Sequence, residues 1–195
     1  MAPQPIASPD MRPSPVLPIL LSLLISACND EPLQHSDTDE PAPLLLAAEQ
    51  GDLGTLDALL AQSSSLDIRD ACRWTPLMKA ALNGHTEAVR RLLQSGAAAD
   101  LTDKGGYSAL LLAASNNHTE VVALLLEAGA WIDRQEQTSG WSALIWAAKR
   151  GHEATVELLL QHAAREDLKD FQGRTALSWA RTEGHERIVA LLSSG

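Results

Sequence analysis

Residues 75–85 read T-P-L-M-K-A-A-L-N-G-H, and the same eleven positions return as S-A-L-L-L-A-A-S-N-N-H at 108–118, S-A-L-I-W-A-A-K-R-G-H at 142–152 and T-A-L-S-W-A-R-T-E-G-H at 175–185. Successive starts are separated by 33, 34 and 33 residues. Self-similarity at that period predicts a stacked solenoid, in which each unit buries its apolar face against its neighbours.

Every element of the repeat has a local physical reason. Thr75, Ser108, Ser142 and Thr175 are residues that cap a helix by accepting from its free amides, and Pro76 falls in the first turn, where its missing N–H costs nothing. Gly84, Gly151 and Gly184 stop that helix in the left-handed region; the exception, Asn117, is the next most tolerant residue there. A second helix follows. Its apolar face is carried by Ala88-Val89, Val121-Val122, Thr155-Val156 and Ile188-Val189, then by Leu92-Leu93, Leu124 to Leu126, Leu158 to Leu160 and Leu191-Leu192, at helical spacing.

These motifs resemble the ankyrin repeat, whose pattern is D-x-x-G-x-T-P-L-H-x-A-A, then G-H, then V-V-x-L-L-L-x-x-G-A. The resemblance covers residues 70–195 in four copies, at 70–102, 103–136, 137–169 and 170–195. A degenerate copy at 44–69, opening L-L-L-A-A-E-Q-G-D, resembles an N-terminal capping repeat because it lacks the hairpin tip and the histidine. With Ser193 where earlier copies have Leu126 and Leu160, both ends are expected to be array ends. The resemblance implies an all-α solenoid of stacked helix-turn-helix units with β-hairpin-like tips. Some positions depart from the pattern. Met78, Leu111, Ile145 and Ser178 replace the histidine of T-P-L-H, one copy alone keeps the proline, and Arg73 replaces a hairpin glycine. One extra residue lies between Trp131 and Ser139, with Gln137 where other copies carry Asp70, Asp103 and Asp170, so that tip is expected to be distorted.

Upstream, the composition changes twice. Residues 16–27, V-L-P-I-L-L-S-L-L-I-S-A, form a 12-residue apolar run preceded by Arg12. It is too short to span a bilayer and reads as a secretory signal over residues 1–27. Ile25-Ser26-Ala27-Cys28 resembles the bacterial lipobox, which implies diacylglyceryl transfer to Cys28 and cleavage before it. Met11-Arg12 is the better start of such a signal than Met1, and a start beyond the signal would leave the protein in the cytoplasm. Residues 28–43 carry five acidic residues, three prolines and no Lys or Arg, the composition of a flexible tether. Acyl chains contribute about 0.8 kcal/mol per buried CH₂, enough for stable anchoring when two or more are present. The expected place is the bacterial envelope, lipid-anchored and facing the periplasm. Asn29, being no aspartate, leans by resemblance to the outer membrane.

The 195-residue chain has a formal net charge of −10, which argues against nucleic acid or anionic head groups as partners. With Cys28 acylated no internal disulfide forms, and Cys72, on a hairpin tip, is expected as an inert thiol or in a mixed disulfide with a partner. Histidines in adjacent repeats, on helices about 8–10 Å apart, do not share one zinc ion at about 2 Å. A turn-capping role is expected for His85, His118, His152 and His185, and a turn-stabilising role for the recurrent aspartates. No phosphate loop, nucleophile elbow or H-E-x-x-H pair is present. The expected protein has no catalytic residue, no metal and no cofactor, and is a monomer.

What varies between copies points to a partner. The residue before each helix cap is Trp74, Tyr107, Trp141 or Arg174, and Phe171 lies on the last tip. In ankyrin arrays, tips and the exposed side of the first helix make the partner contacts, and aromatics with Arg dominate hot spots. Asn83, Asn116, Lys149 and Arg150 share that concave side, where the basic pair would meet an acidic patch. Covering or packing between tips is the competing role for these rings, and Trp146 and Trp179, inside the first helices, are expected in the core. The expected function is a non-catalytic interaction module that supports, occludes or positions a periplasmic or envelope protein. Immunity against a toxic enzyme is one form of it. A small-molecule or metal-binding envelope protein is the alternative class.

Overall fold

The computed structural model describes residues 42–62 and 65–193. The signal at 1–27, Cys28 and the tether as far as residue 41 lie outside the described residues.

The described chain forms five helix pairs: α1 (Pro43–Gln50) with α2 (Leu53–Leu60), α3 (Pro76–Leu82) with α4 (Thr86–Gln94), α5 (Ala109–Ser115) with α6 (Thr119–Glu127), α7 (Ala143–Arg150) with α8 (Glu153–Gln161), and α9 (Ala176–Glu183) with α10 (Glu186–Leu192). First helices stack in one row and second helices in another. This is an all-α repeat solenoid.

Each first helix after α1 starts as its sequence dictates. Hydroxyls of Thr75, Ser108, Ser142 and Thr175 accept the amides of Met78, Leu111, Ile145 and Ser178 at 3.2–3.4 Å. Paired alanines, Ala80-Ala81, Ala113-Ala114 and Ala147-Ala148, are fully buried and let the first helices lie close together. Leucines 56, 92, 125 and 159 make the corresponding seam of the second helices. None of the described helices is long and apolar enough to cross a membrane.

The histidines join one repeat to the next. Each has the backbone angles of an N-cap of the second helix, without a side-chain cap bond. Its ring instead reaches back one repeat. Nε2 of His85, His118, His152 and His185 lies 2.9–3.2 Å from the carbonyl oxygens of Glu49, Leu82, Ser115 and Lys149. The ring also occupies the space over the preceding helix stop: a Cβ on Gly84 would lie 2.5 Å from His118 Nδ1. That glycine is thus required twice, by its φ of 71° and by its neighbour's imidazole. The histidines thus cap the last turn of the previous repeat's first helix, which keeps the expected turn capping but places it across repeats.

A second ladder joins the far ends of the units. Carboxylates of Asp67, Asp100 and Asp133 accept the amides of Ala98, Trp131 and Arg165 of the next copy at 2.8–3.1 Å.

Candidate functional site

The tips that lead into α3, α5, α7 and α9 are held by one carboxylate each. Asp70 accepts from Cys72 and Trp74, Asp103 from Gly105 and Tyr107, and Asp170 from Gln172 and Arg174, all amides at 2.8–2.9 Å. Tips also stack through backbone bonds, Lys104 to Cys72, Gln137 to Gly105 and Phe171 to Ser139. Isolated antiparallel bridges, Thr102 with Ser108 and Gln135 with Ser142, are the extent of their β character.

In the third tip the acceptor is Glu136, 1% exposed, which takes the amides of Thr138, Ser139 and Trp141. Gln137 plays no such part and is exposed. The tip is rebuilt rather than distorted: the turn contains one more residue, and glutamate is one methylene longer than aspartate. Glu136 escaped the sequence reading because the template puts aspartate there; an acid beside a one-residue insertion was the available signal.

Trp141 lies at the centre of the site. Its ring meets Trp146 edge-on at 4.5 Å and Trp179 edge-on at 5.5 Å, across two repeats. Such pairs contribute about 0.5–1.5 kcal/mol each beyond area burial. Trp146 and Trp179 are each 6% exposed, as expected for core residues, and they form the floor under Trp141. Lys149 Nζ stands 4.1 Å from the Trp179 centroid, Arg174 Cζ 3.6 Å from the same ring, and Arg150 Cζ 4.9 Å from the Trp146 ring.

One buried carboxylate ties this cluster down. Besides its two amides, Asp170 accepts on Oδ2 from Trp141 Nε1 at 3.2 Å, Trp179 Nε1 at 3.0 Å and Arg174 Nε at 3.2 Å. Burial pushes its pKa up, but the donors outweigh burial and hold the carboxyl below its ordinary value. Asp103, at the same repeat position, shifts the opposite way because desolvation dominates its own tip bonds.

Of the ten residues expected to form a ridge or bear lipid, Cys28 lies outside the described residues. Trp141, Lys149, Arg150 and Arg174 share the cluster. Phe171 is 68% exposed, and its ring lies over the Gly140 backbone next to Trp141. Trp74 is half-buried, with Lys79 Nζ 5.2 Å from its centroid, and belongs with the exposed Asn83 to an earlier repeat. Asn116 turns its amide onto the Leu112 carbonyl at 2.8 Å. Tyr107 is corrected: it is 6% exposed rather than on an open ridge, since its ring packs beneath the longer third tip and its hydroxyl meets Thr138 Oγ1 at 3.2 Å. Thr138 belongs to the enlarged turn, so the insertion that rebuilt the tip also covered the tyrosine.

Cys72 is half-buried in the first tip, where its amide donates to Asp70 Oδ1 at 2.9 Å. Among the described residues no group of three or more His, Cys, Asp or Glu side chains is placed to hold a metal ion.

The family model described as "Ankyrin repeats (3 copies)" matches residues 44–136 and again residues 131–195. No curated protein matches the chain.

Proposed function

Because the chain belongs to the ankyrin-repeat family, matched from residue 44 to residue 195, we propose that it is a non-catalytic protein-binding module held by a lipid on Cys28 at the bacterial envelope, where it engages a periplasmic partner through the face built on the third and fourth tips. One observation carries the choice of face. Phe171, at 68% the most exposed large apolar side chain among the described residues, lies over the Gly140 backbone beside Trp141, whose ring meets Trp146 and Trp179, with Lys149, Arg150 and Arg174 over the rings of this cluster. Large rings with a fixed underside lose little freedom on binding, which is what a hot spot needs. The envelope assignment is supported by the apolar run at 16–27 and by I-S-A-C at 25–28. Whether the module supports, blocks or positions its partner follows from the partner's own activity.

The test is crosslinked capture from intact envelopes, comparing the native protein with Phe171→Ala. A protein recovered with the native chain and lost with the variant supports the reading. An identical set of captured proteins overturns the assigned face.

A further inference from the structure

Lys149 and Arg150 are adjacent at the end of α7, yet the fold uses them differently. Lys149 Nζ lies 2.9 Å from Glu183 Oε1, Arg174 Nε lies 3.2 Å from Asp170, and Lys79 lies within reach of both Glu49 and Asp70. Among the described residues no carboxylate pairs with Arg150. Its row in the repeat, eight residues after the helix cap, is held by Asn83, Asn116 and Glu183 in the other copies, so Arg150 is the row's one cation. Burial pushes the guanidinium's pKa down, and Tyr107 alone acts against that. Burial also pushes that phenol up, so it is neutral at pH 7 and supplies no counter-charge. The side chain nevertheless remains exposed. Arg150 therefore bears a desolvation cost without a counter-ion although the residue is exposed.

We propose that Arg150, seated on the Trp146 ring, is the anchor for an Asp or Glu side chain of the bound protein, presented on a segment whose neighbouring apolar residues lie against Trp141 and Phe171. The proposal rests on the protein-binding reading above and names the chemistry of its partner. A guanidinium held over a ring offers a fork to a carboxylate, and the low polarity of the tryptophan floor strengthens the pair. The chain's net charge of −10 repels a uniformly acidic partner. The recognised element is hence a single acid set among apolar residues, with the cluster's rings supplying contact area and Arg150 supplying register.

The test pans a random-peptide display library on the full chain. Enriched peptides are expected to share one acidic residue next to an apolar or aromatic one. A synthetic peptide of that consensus should bind Arg150→Gln at least about tenfold more weakly, because truncating one partner of a desolvated charge pair acts mainly on dissociation. Arg150→Lys should fall between, since it keeps the charge and loses the fork. Arg165→Gln removes an exposed cation elsewhere with the same charge change and should bind as the native protein does. An unchanged melting temperature for Arg150→Gln shows that the effect is not unfolding. Enriched peptides lacking a common acid, equal affinity for Arg150→Gln, or an equal loss in Arg165→Gln overturns the proposal. Non-acidic peptides that lose affinity in Phe171→Ala overturn the carboxylate anchor while leaving the protein-binding face in place. No enrichment overturns both.

Discussion

Glu136 accepts the amide of Trp141 at 2.9 Å across a turn one residue longer than those in which Asp70, Asp103 and Asp170 accept the amides of Trp74, Tyr107 and Arg174. Side-chain length and turn length have changed together, and the aromatic residue ahead of the helix cap keeps its place. Trp141 reaches the Trp146 and Trp179 rings from that position, so the site depends on the substitution.

Glu136→Asp should cost about 1–3 kcal/mol, because a shorter side chain leaves buried amides without their acceptor. Deleting Thr138, the residue absent from the other tips, should restore much of that loss in the Glu136→Asp background. Chemical denaturation of the two single variants and the double variant checks the coupling; additive losses would contradict it.

Asp170 and His152 make stability fall on acidification, in separate windows. Asp170 has its folded pKa below the unfolded value of about 3.9, so its contribution is full above that pH and is lost as pH falls through the folded pKa. His152 is also held low, first by burial, so its contribution is full above about pH 6.5 and declines below. Asp103, shifted up, has the opposite sign and gains on acidification. Melting temperature followed against pH should lose its decline below about pH 4 in Asp170→Asn and its decline just below about pH 6.5 in His152→Gln. Asp170→Asn should also cost about 3 kcal/mol at neutral pH by leaving indole and guanidinium donors without their acceptor.

Arg73 has a φ of 67°, in the place where Gly106, Gly140 and Gly173 stand in the other tips. Arg73→Gly should therefore stabilise the domain by about 1 kcal/mol, since a side chain in the left-handed region is strained. A loss of stability in thermal unfolding would show that the arginine side chain contributes more than its backbone costs.

Leu125 is fully buried in the second-helix seam. Leu125→Ala should cost about 2–5 kcal/mol, and an effect under about 1 kcal/mol would contradict the register of the repeats.

Cys28→Ala should release the protein from membranes or block its processing. Intact mass of membrane-purified protein is expected to show acyl groups on Cys28; an unmodified Cys28 in that material, or unchanged membrane association of Cys28→Ala, contradicts the lipid anchor.

Much of the fold was legible because capping hydroxyls, stop glycines and buried leucines act locally and repeat in register. Trp146 and Trp179 could be placed in the core by helix position alone. Contacts that cross repeats were less legible. The reach of each histidine to the previous unit, and the acceptors at Asp67, Asp100 and Asp133, depend on stacking geometry that a single copy does not encode. Tyr107 was misread for the same reason: what covers it is Thr138, 31 residues away in the next tip. In sequence Lys149 and Arg150 are an equivalent basic pair; only the stacking of repeats brings Glu183 onto Lys149 and leaves Arg150 apart.

The most direct test of the central claim places a photo-crosslinking benzoylphenylalanine at Phe171 and, as control, at Gln94, exposed at the end of a second helix. Irradiated envelopes should give one discrete adduct from position 171 and none from position 94, with the adducted protein identified by mass spectrometry. Adducts of equal pattern from both positions, or none from 171, would contradict a protein-binding face built on the third and fourth tips.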